Sequence, residues 1–227
     1  MVIVDAITDA DLLTIGDAVA DAPLITGGSG IALGLSRNFI RKGLASGAGS
    51  SFARVAGPEA IIAGSCSRAT LGQIAFHRKQ GHPVLDIDIA DVMSGRTVMA
   101  DLVGFLVRNA GRAPLVCSSA PPEAVAALQA RFGREAVAHK LDALFAATAR
   151  SAVEGGICRL VVAGGETSGA VVSALGLDAL AIGPEIDPGV PALATTAGQP
   201  LALALKSGNF GAENFFEKAL SIMGDAA

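Results

Sequence analysis

The sequence predicts an α/β fold: a mostly parallel sheet with helices on both faces and Gly/Ser-rich turns at the carboxyl ends of its strands. Three observations carry this. Short β-branched apolar runs alternate with longer segments of helical periodicity, the mark of βα units joined by right-handed crossovers. The chain is 51% apolar, yet it contains no Trp or Tyr. Its apolar content is mostly Ala, Val, Leu and Ile, which suits buried parallel strands under Ala-rich helices. Several strand-to-helix junctions also carry clusters of Gly and Ser.

Composition bounds the function classes. At 227 residues the chain can form one large domain or two small ones. A mean hydropathy of +0.53 raises the question of a membrane span. The longest uncharged run, 188–205, contains three prolines and two glycines, so it cannot be a spanning helix. The first basic residue is Arg37, and no signal peptide is expected. A net charge of −4 with scattered basic residues argues against nucleic acid, whose phosphates call for a basic stripe. Cys66, Cys117 and Cys158 are far apart, and no Cys-x-x-Cys or His-x-x-x-His pair occurs. Neither a zinc site nor a disulfide framework is indicated, and a reducing cytoplasm is the simplest compartment.

In chain order, residues 2–5 read as a strand ending in Asp5. Thr8 caps a helix over 9–20, with Leu12, Leu13, Ile15 and Val19 on its apolar side. A second strand is expected at 23–26, a Gly-rich turn at 27–30 that can touch substrate or a domain interface, and a helix at 31–42. The stretch 43–57 is rich in Gly, Ser and Ala without periodicity and reads as a linker. It divides the chain into a region 1–50 and a region 51–227.

The second region opens with a strand at 59–63, a turn at 64–67 and a helix at 68–80, whose Leu71, Ile74, Ala75 and Arg78 recur at helical spacing. Gly81 takes the position just after that helix. A strand is expected at 83–89, a mostly helical stretch at 90–109 and a strand at 113–117 leading into a Ser-rich turn. Pro121 and Pro122 then open a helix. A long helix at 135–154 precedes a strand at 160–163 and the turn 164–168, with helix from 169. A short strand at 178–182, a turn-rich loop at 184–191 and a strand at 201–205 follow. The closing helix, 212–223, directs Phe215, Phe216, Ala219 and Leu220 inward.

The stretch 159–175, RLVVAGGETSGAVVSAL, organises the rest. Strand, Gly-rich turn and helix together make an anion site. Glycines admit a ligand close to the backbone, and the helix start offers unpaired N–H groups at the positive end of its dipole. Thr167 and Ser168 supply hydroxyls that either cap the helix or bind a phosphate oxygen. A capped turn that binds nothing has the same local pattern. Three such turns, 64–67, 164–168 and 206–211, fall on one edge of a parallel sheet, where open α/β folds bind ligands. They favour a nucleotide or phosphate site. Neither Gly-x-x-x-x-Gly-Lys-Ser/Thr nor a strand-linked Gly-x-Gly-x-x-Gly occurs, so neither of the two commonest nucleotide motifs applies.

Four ordered motifs, GSCSRATLGQI, VAGGETSGAVVSALG, GPEIDPGVP and LKSGNFGAENFFEKAL, resemble the C-terminal nucleotide-binding domain of the four-carbon acid sugar kinase family. The GGETSG form resembles the 3-oxo-tetronate 4-kinase branch; other branches more often carry Asp at the position of Glu166. DAITDADL and PLITGGSGIALGL are similar to the end of that family's N-terminal, substrate-binding domain. The resemblance covers nearly the whole chain. It implies ATP-dependent phosphorylation of the terminal hydroxyl of a small sugar acid. Family members are nearly twice this long and open with an Asp-Asp-rich motif not found here. The chain is therefore expected to be the nucleotide-binding part, with a substrate-domain tail at 1–50 and a sugar-acid partner reached through an N-terminal domain. A homo-oligomer is compatible with this reading. A non-catalytic binding or interaction module that keeps the fold is the alternative.

The resemblance puts ATP contacts at Ser65, at Gly165, Glu166, Thr167 and Ser168, and at Gly208, with Ser67, Gly164 and Gly211 as neighbours. Lys206 either pairs with a phosphate or is a solvated lysine at a strand end. Glu166 either holds Mg²⁺, which takes one or two carboxylates beside phosphate oxygens, or is an exposed acid favoured by the helix dipole. No residue is assigned as the catalytic base. Asp86 and Asp88 read as a metal pair or as solvated acids at a strand end. His77, His82 and His139 read as surface groups. Glu185 and Asp187 are expected to order their turn, and Cys66 to fill a turn as a small residue.

Overall fold

The computed structural model describes residues 2–46, 52–118 and 130–224. The chain divides into two compact units, Met1–Ser50 and Ser51–Ala227.

The first unit is a helical pair. Helix α1 (Asp9–Ala18) opens on a capping box in which Thr8 Oγ1 accepts from the Asp11 amide while Asp11 accepts from the Thr8 amide at 2.8 Å. A 3₁₀ turn (Ser29–Ile31) leads into α2 (Ala32–Arg41). Buried Asn38 ties the pair by donating to the Gly16 carbonyl at 2.6 Å. The strands expected at 2–5 and 23–26 do not form. A strand exists only as half of a ladder, and among the described residues of the unit no strand pairs with these segments. Val2, Ile3, Ile7 and Leu24 consequently stand exposed.

The second unit is built on a seven-stranded sheet. Its strands are β1 (Glu59–Ala63), β2 (Val84–Asp86), β3 (Leu115–Cys117), β4 (Arg159–Ala163), β5 (Leu180–Asp187), β6 (Val190–Thr195) and β7 (Ala202–Lys206). They lie in the order β2-β3-β1-β4-β7-β6-β5. The first five in that order run parallel; β6 and β5 are antiparallel additions at one edge. The segment expected to be a loop at 184–191 is thus mostly the β5–β6 hairpin. Pro184, Pro188 and Pro191 hide its strand pattern, and two register shifts near Glu185 interrupt it. Pro184 is tolerated because β5 is an edge strand.

Side chains leave β1 and β4 alternately, so each contributes to two cores. Ile61, Ala63, Val161 and Ala163 pack with Ile74 of α3 (Arg68–Lys79) and with Phe215, Phe216, Ala219 and Leu220 of the closing helix (Phe215–Met223). Ala60, Ile62, Leu160 and Val162 pack on the other face. There they meet Leu102 and Leu106 of α5 (Met99–Arg108), Phe145 and Ala149 of α6 (Arg134–Glu154), and Val171 of α7 (Gly165–Leu175). The closing helix is α8. The helical stretch expected at 90–109 is two helices, α4 (Ile89–Ser94) and α5, because Gly95 ends α4 in the left-handed region at φ 78°. Of the turn that follows β3, residues 119–122, including Pro121 and Pro122, lie outside the described residues.

Helix α3 departs most from its expected pattern. Its buried residues are Thr70, Gln73, Ile74 and His77, whereas Ala75 and Arg78 are exposed. His77, expected at the surface, is 1% exposed. Its Nε2 hydrogen-bonds the Ala113 carbonyl at 2.8 Å, and its ring stacks on His82 with centroids 4.4 Å apart. Burial lowers its pKa to about 4, against the Ala113 bond, which raises it. Between about pH 6.5 and 4 the unfolded chain takes up a proton here that the folded chain refuses. Stability present above that window is lost as the pH falls through it, by about 3 kcal/mol. Urea unfolding from pH 7 to 4 is expected to show this slope, and His77→Gln, which keeps a donor for Ala113, is expected to flatten it.

The other singled-out residues are accounted for locally. Asp86 pairs with Arg78 at 2.9 Å, and Asp88 caps α4 by accepting from the Ala90 amide at 2.7 Å. They do not form a metal pair, and no group of three or more potential metal ligands occurs among the described residues. Glu185 accepts from the Gly189 amide, and buried Asp187 from the Ala212 amide and Lys218. Glu185 orders its turn, as expected; Asp187 instead ties it to the segment that leads into the closing helix. His139 is exposed.

Candidate functional site

Strands β1, β4 and β7 are sheet neighbours and parallel, so the turns that leave their carboxyl ends meet on one edge. The three Gly/Ser clusters therefore adjoin although they are far apart in sequence.

The central turn is tighter than its composition indicates. Helix α7 begins at Gly165, four residues before the expected start. The Ser168 amide already bonds the Gly164 carbonyl at 2.8 Å, which leaves the amides of Gly165, Glu166 and Thr167 as first-turn donors without intrahelical partners. Gly164 caps the helix at φ 137°, and a Cβ there would lie 3.2 Å from Thr167 Oγ1 and 3.4 Å from the Ser65 amide nitrogen. The position needs glycine on both counts.

The hydroxyls on this turn do not cap the helix. Thr167 is buried and its Oγ1 donates to Asp142 Oδ1 at 3.0 Å. Ser168 is buried, and its Oγ has no partner among the described residues. Glu166 is exposed. Asp142, on α6, was not singled out from sequence. Nothing in its own segment marks it, because its significance comes from a contact 25 residues away. Burial raises its pKa, the Thr167 hydroxyl opposes that rise, and the Glu166 charge adds to it.

The first and third turns close on each other. The amides of Gly64 and Ser65 both bond the Ala163 carbonyl, which joins the first turn to the central one. Ser65 Oγ accepts from the Ser67 amide at 3.2 Å, and Ser67 caps α3 by accepting from the Thr70 amide. A Cβ on Gly208 would lie 2.4 Å from Ser65 Oγ, so only glycine lets the third turn approach this closely. Gly211, at the far end of that loop, packs against Phe215 and gives its carbonyl to Gln73. Lys206 is not solvated: it is 1% exposed and sits beneath the loop.

Beside the central turn lies a cavity of about 330 Å³. Gly64, Ser65, Cys66 and the 164–167 backbone form its polar side. Ile89, Val137, Leu141 and Phe145 form an apolar wall, and Asp142 opens onto it. Ser118 also lines it, with a buried hydroxyl that has no partner among the described residues. Helix-end amides, the Ser118 hydroxyl and an apolar wall suit a ligand with an anionic end and a flat apolar body.

Of the residues expected at the site, the structure brings together Ser65, Ser67, Gly164, Gly165, Glu166, Thr167, Ser168 and Gly208, with Lys206 below them and Gly211 at the loop's far end.

Comparison with known proteins shows the family. Residues 60–216 match the family model described as the nucleotide-binding C-terminal domain. The 3-oxo-tetronate kinase of Cupriavidus necator is 49% identical over 226 residues, which is 99% of this chain and 52% of that protein. The 3-oxo-tetronate kinase of Pseudomonas savastanoi pv. phaseolicola is 46% identical over 100% of this chain and 53% of its own length. The chain thus spans about half the length of the curated relatives it matches. A solved Salmonella typhimurium structure, 40% identical, superposes with a TM-score of 0.79 over 95% of this chain and 51% of its own. One from Haemophilus influenzae, 33% identical, gives 0.77 over 96% and 52%.

Proposed function

We propose, on the premise that this chain belongs to the family of the nucleotide-binding C-terminal domain, that it is the ATP-binding part of a kinase acting on the terminal hydroxyl of four-carbon sugar acids, 3-oxo-tetronate or tetronate. The observation that carries the reading is the amino end of α7. Its three first-turn amides stand between the Ser65 and Gly208 turns and beside a cavity with one apolar wall. The names of the relatives support the substrate class.

In this reading the amides of Gly165, Glu166 and Thr167 bind phosphate oxygens, and Ser65 and Gly208 bound the same groups from either side. Such a site does little covalent chemistry. It positions the terminal phosphoryl group and stabilises its charge. Mg²⁺ fits the donors present. A single exposed carboxylate, Glu166, faces solvent at the helix start, as suits an ion held chiefly by phosphate oxygens and water. When bound, Mg²⁺ would neutralise charge on the phosphates. The acceptor hydroxyl must be held in line with the terminal phosphoryl group, and we assign that task to the part of the relatives' length that this chain does not span. A cytoplasmic setting accords with Cys66, Cys117 and Cys158, none of which forms a disulfide among the described residues. No helix among the described residues is long and apolar enough to cross a membrane.

The 227-residue chain is expected to bind Mg-ATP and ADP with a dissociation constant roughly between micromolar and millimolar, about −8 to −4 kcal/mol. Calorimetric titration decides this; the absence of both heat and a thermal shift at millimolar nucleotide would overturn the reading. Sugar-acid-dependent ADP release is expected only once the relatives' remaining length is supplied. Such release by the chain alone would place the acceptor site within it.

A further inference from the structure

A helix that packs on a sheet ordinarily turns an apolar stripe inward, but α3 buries Thr70 and Gln73 as well as Ile74. These polar groups face the chain that leaves β7. Gln73 Nε2 lies 3.0 Å from each of the carbonyls of Phe210, Gly211 and Ala212. The Gly208 carbonyl accepts from Ser67 Oγ, from Thr70 Oγ1 at 3.0 Å and from Lys206 Nζ at 3.0 Å. Lys206 Nζ also reaches Thr70 Oγ1 and the Ser207 carbonyl, each at 3.0 Å. An ammonium has three N–H donors, and this one has three acceptors.

The loop is therefore held by its carbonyls. Those of residues 207, 208, 210, 211 and 212 are drawn toward α3 and Lys206. The Phe210 amide is taken by the Ser207 carbonyl at 3.2 Å and the Ala212 amide by Asp187 at 2.8 Å. The amides of Gly208 and Asn209 have no acceptor among the described residues. Successive amides left free on one side of a turn make an anion-binding concavity.

We propose that Lys206 is a positioning residue of the nucleotide site: it holds the 207 and 208 carbonyls inward, so that the Gly208 and Asn209 amides face outward, and it does not itself touch phosphate. This rests on the nucleotide reading above. To pair with a phosphate directly, Lys206 would have to give up one of three bonds and leave a position that is 1% exposed. From where it stands it also places a positive charge under the loop. Its surroundings are the Thr70 hydroxyl of α3, the 207 and 208 carbonyls, and the Phe215 ring of α8 at 6.0 Å, none of which titrates in the ordinary range. Burial lowers its pKa to about 8. As the pH rises through that value the amine loses both its charge and a donor, and the loop loses a tie.

The test uses the whole 227-residue chain with Lys206→Met, Lys206→Arg and Thr70→Val. Without nucleotide at pH 7, hydrogen exchange of the Phe210 amide, which is bonded to the Ser207 carbonyl that Lys206 holds, is expected to be at least about 10-fold faster in Lys206→Met, with β1 and β4 unchanged. Mg-ADP affinity at pH 7 is expected to fall at least about 10-fold in Lys206→Met and to recover in part in Lys206→Arg. In the unaltered chain it is expected to decline as the pH passes about 8, and in Lys206→Met to stay flat. Weakened affinity with unchanged loop exchange would mean direct phosphate contact and would overturn the proposal, as would affinity within about 3-fold of the unaltered chain. Should Lys206→Met not fold, Thr70→Val, which removes one acceptor of Lys206 at nearly constant shape, is expected to speed exchange at the same amide; unchanged exchange there overturns the proposal too. If the unaltered chain binds no nucleotide, the function proposed above falls, while the exchange data still decide whether Lys206 shapes the loop.

Discussion

Replacing Arg159 by Met is expected to remove about 3–5 kcal/mol of stability, the range found when one partner of a buried ion pair is deleted. Arg159 and Glu59 meet at 2.6 Å with side chains only 3% and 4% exposed. The guanidinium also donates to the carbonyls of Gly57, Leu220 and Gly224, and the carboxylate accepts from the Ala113 amide. The substitution strands a buried carboxylate and three carbonyls together. Glu59 and Arg159 open β1 and β4, so they lie at the sheet edge opposite the Gly/Ser turns. Nucleotide affinity of the folded fraction is accordingly expected to stay within about 3-fold. Urea midpoints and calorimetry on one preparation separate the two quantities. A loss below about 1 kcal/mol would show that the pair is not the clamp its geometry describes.

Gly165→Val is expected to reduce nucleotide affinity at least about 100-fold, or about 2.7 kcal/mol, while costing under about 1 kcal/mol of stability. The two glycines of the central turn have different tasks. At Gly164 the backbone is left-handed and a side chain would also press on Thr167 and Ser65, so a substitution there confounds folding with binding. A Cβ on Gly165 meets no atom within 4 Å, and the residue is helical and exposed. The space it would enter is the space a phosphate must use to reach the first-turn amides. Calorimetry with Mg-ADP and a thermal melt of the same variant settle it. Unchanged affinity in a folded Gly165→Val protein would move the phosphates away from α7.

How much of this was legible in the sequence depends on how local its cause is. Strand β1 falls on the expected residues, and α6 within one residue, because a β-branched run between breakers and a long 3.6-residue period are local signals. The three turns were legible as a set, since parallel connectivity brings every strand-to-helix junction to one edge. Other features failed where distant partners decide. Residues 2–5 have strand chemistry but no ladder to join. Three prolines disguised the β5–β6 hairpin. The face of α3 was misjudged because its inward side is chosen by the carbonyls of a loop over 130 residues later, not by an apolar floor. The surface reading of His77 was wrong because the Ala113 carbonyl and the His82 ring meet it, and the solvated alternative for Lys206 fails because the loop's own carbonyls hold it. Asp142 was invisible, since a carboxylate in a mixed helix looks like any solvated acid until Thr167 arrives beside it.

The Gly208 carbonyl, which accepts from residues 138 and 141 positions earlier, ties ligand occupancy to the order of assembly. A chain that has formed only β1 and α3, or only the β4–α7 unit, has no closed cradle, because one wall arrives with β7. Contacts of such long sequence separation form late in folding, after the entropy of loop closure has been met. Bound nucleotide therefore favours the finished sheet over every partly assembled one. At one hundred times its dissociation constant it adds about 2.7 kcal/mol against global unfolding, and gives no such help to an intermediate that lacks the last parallel strand.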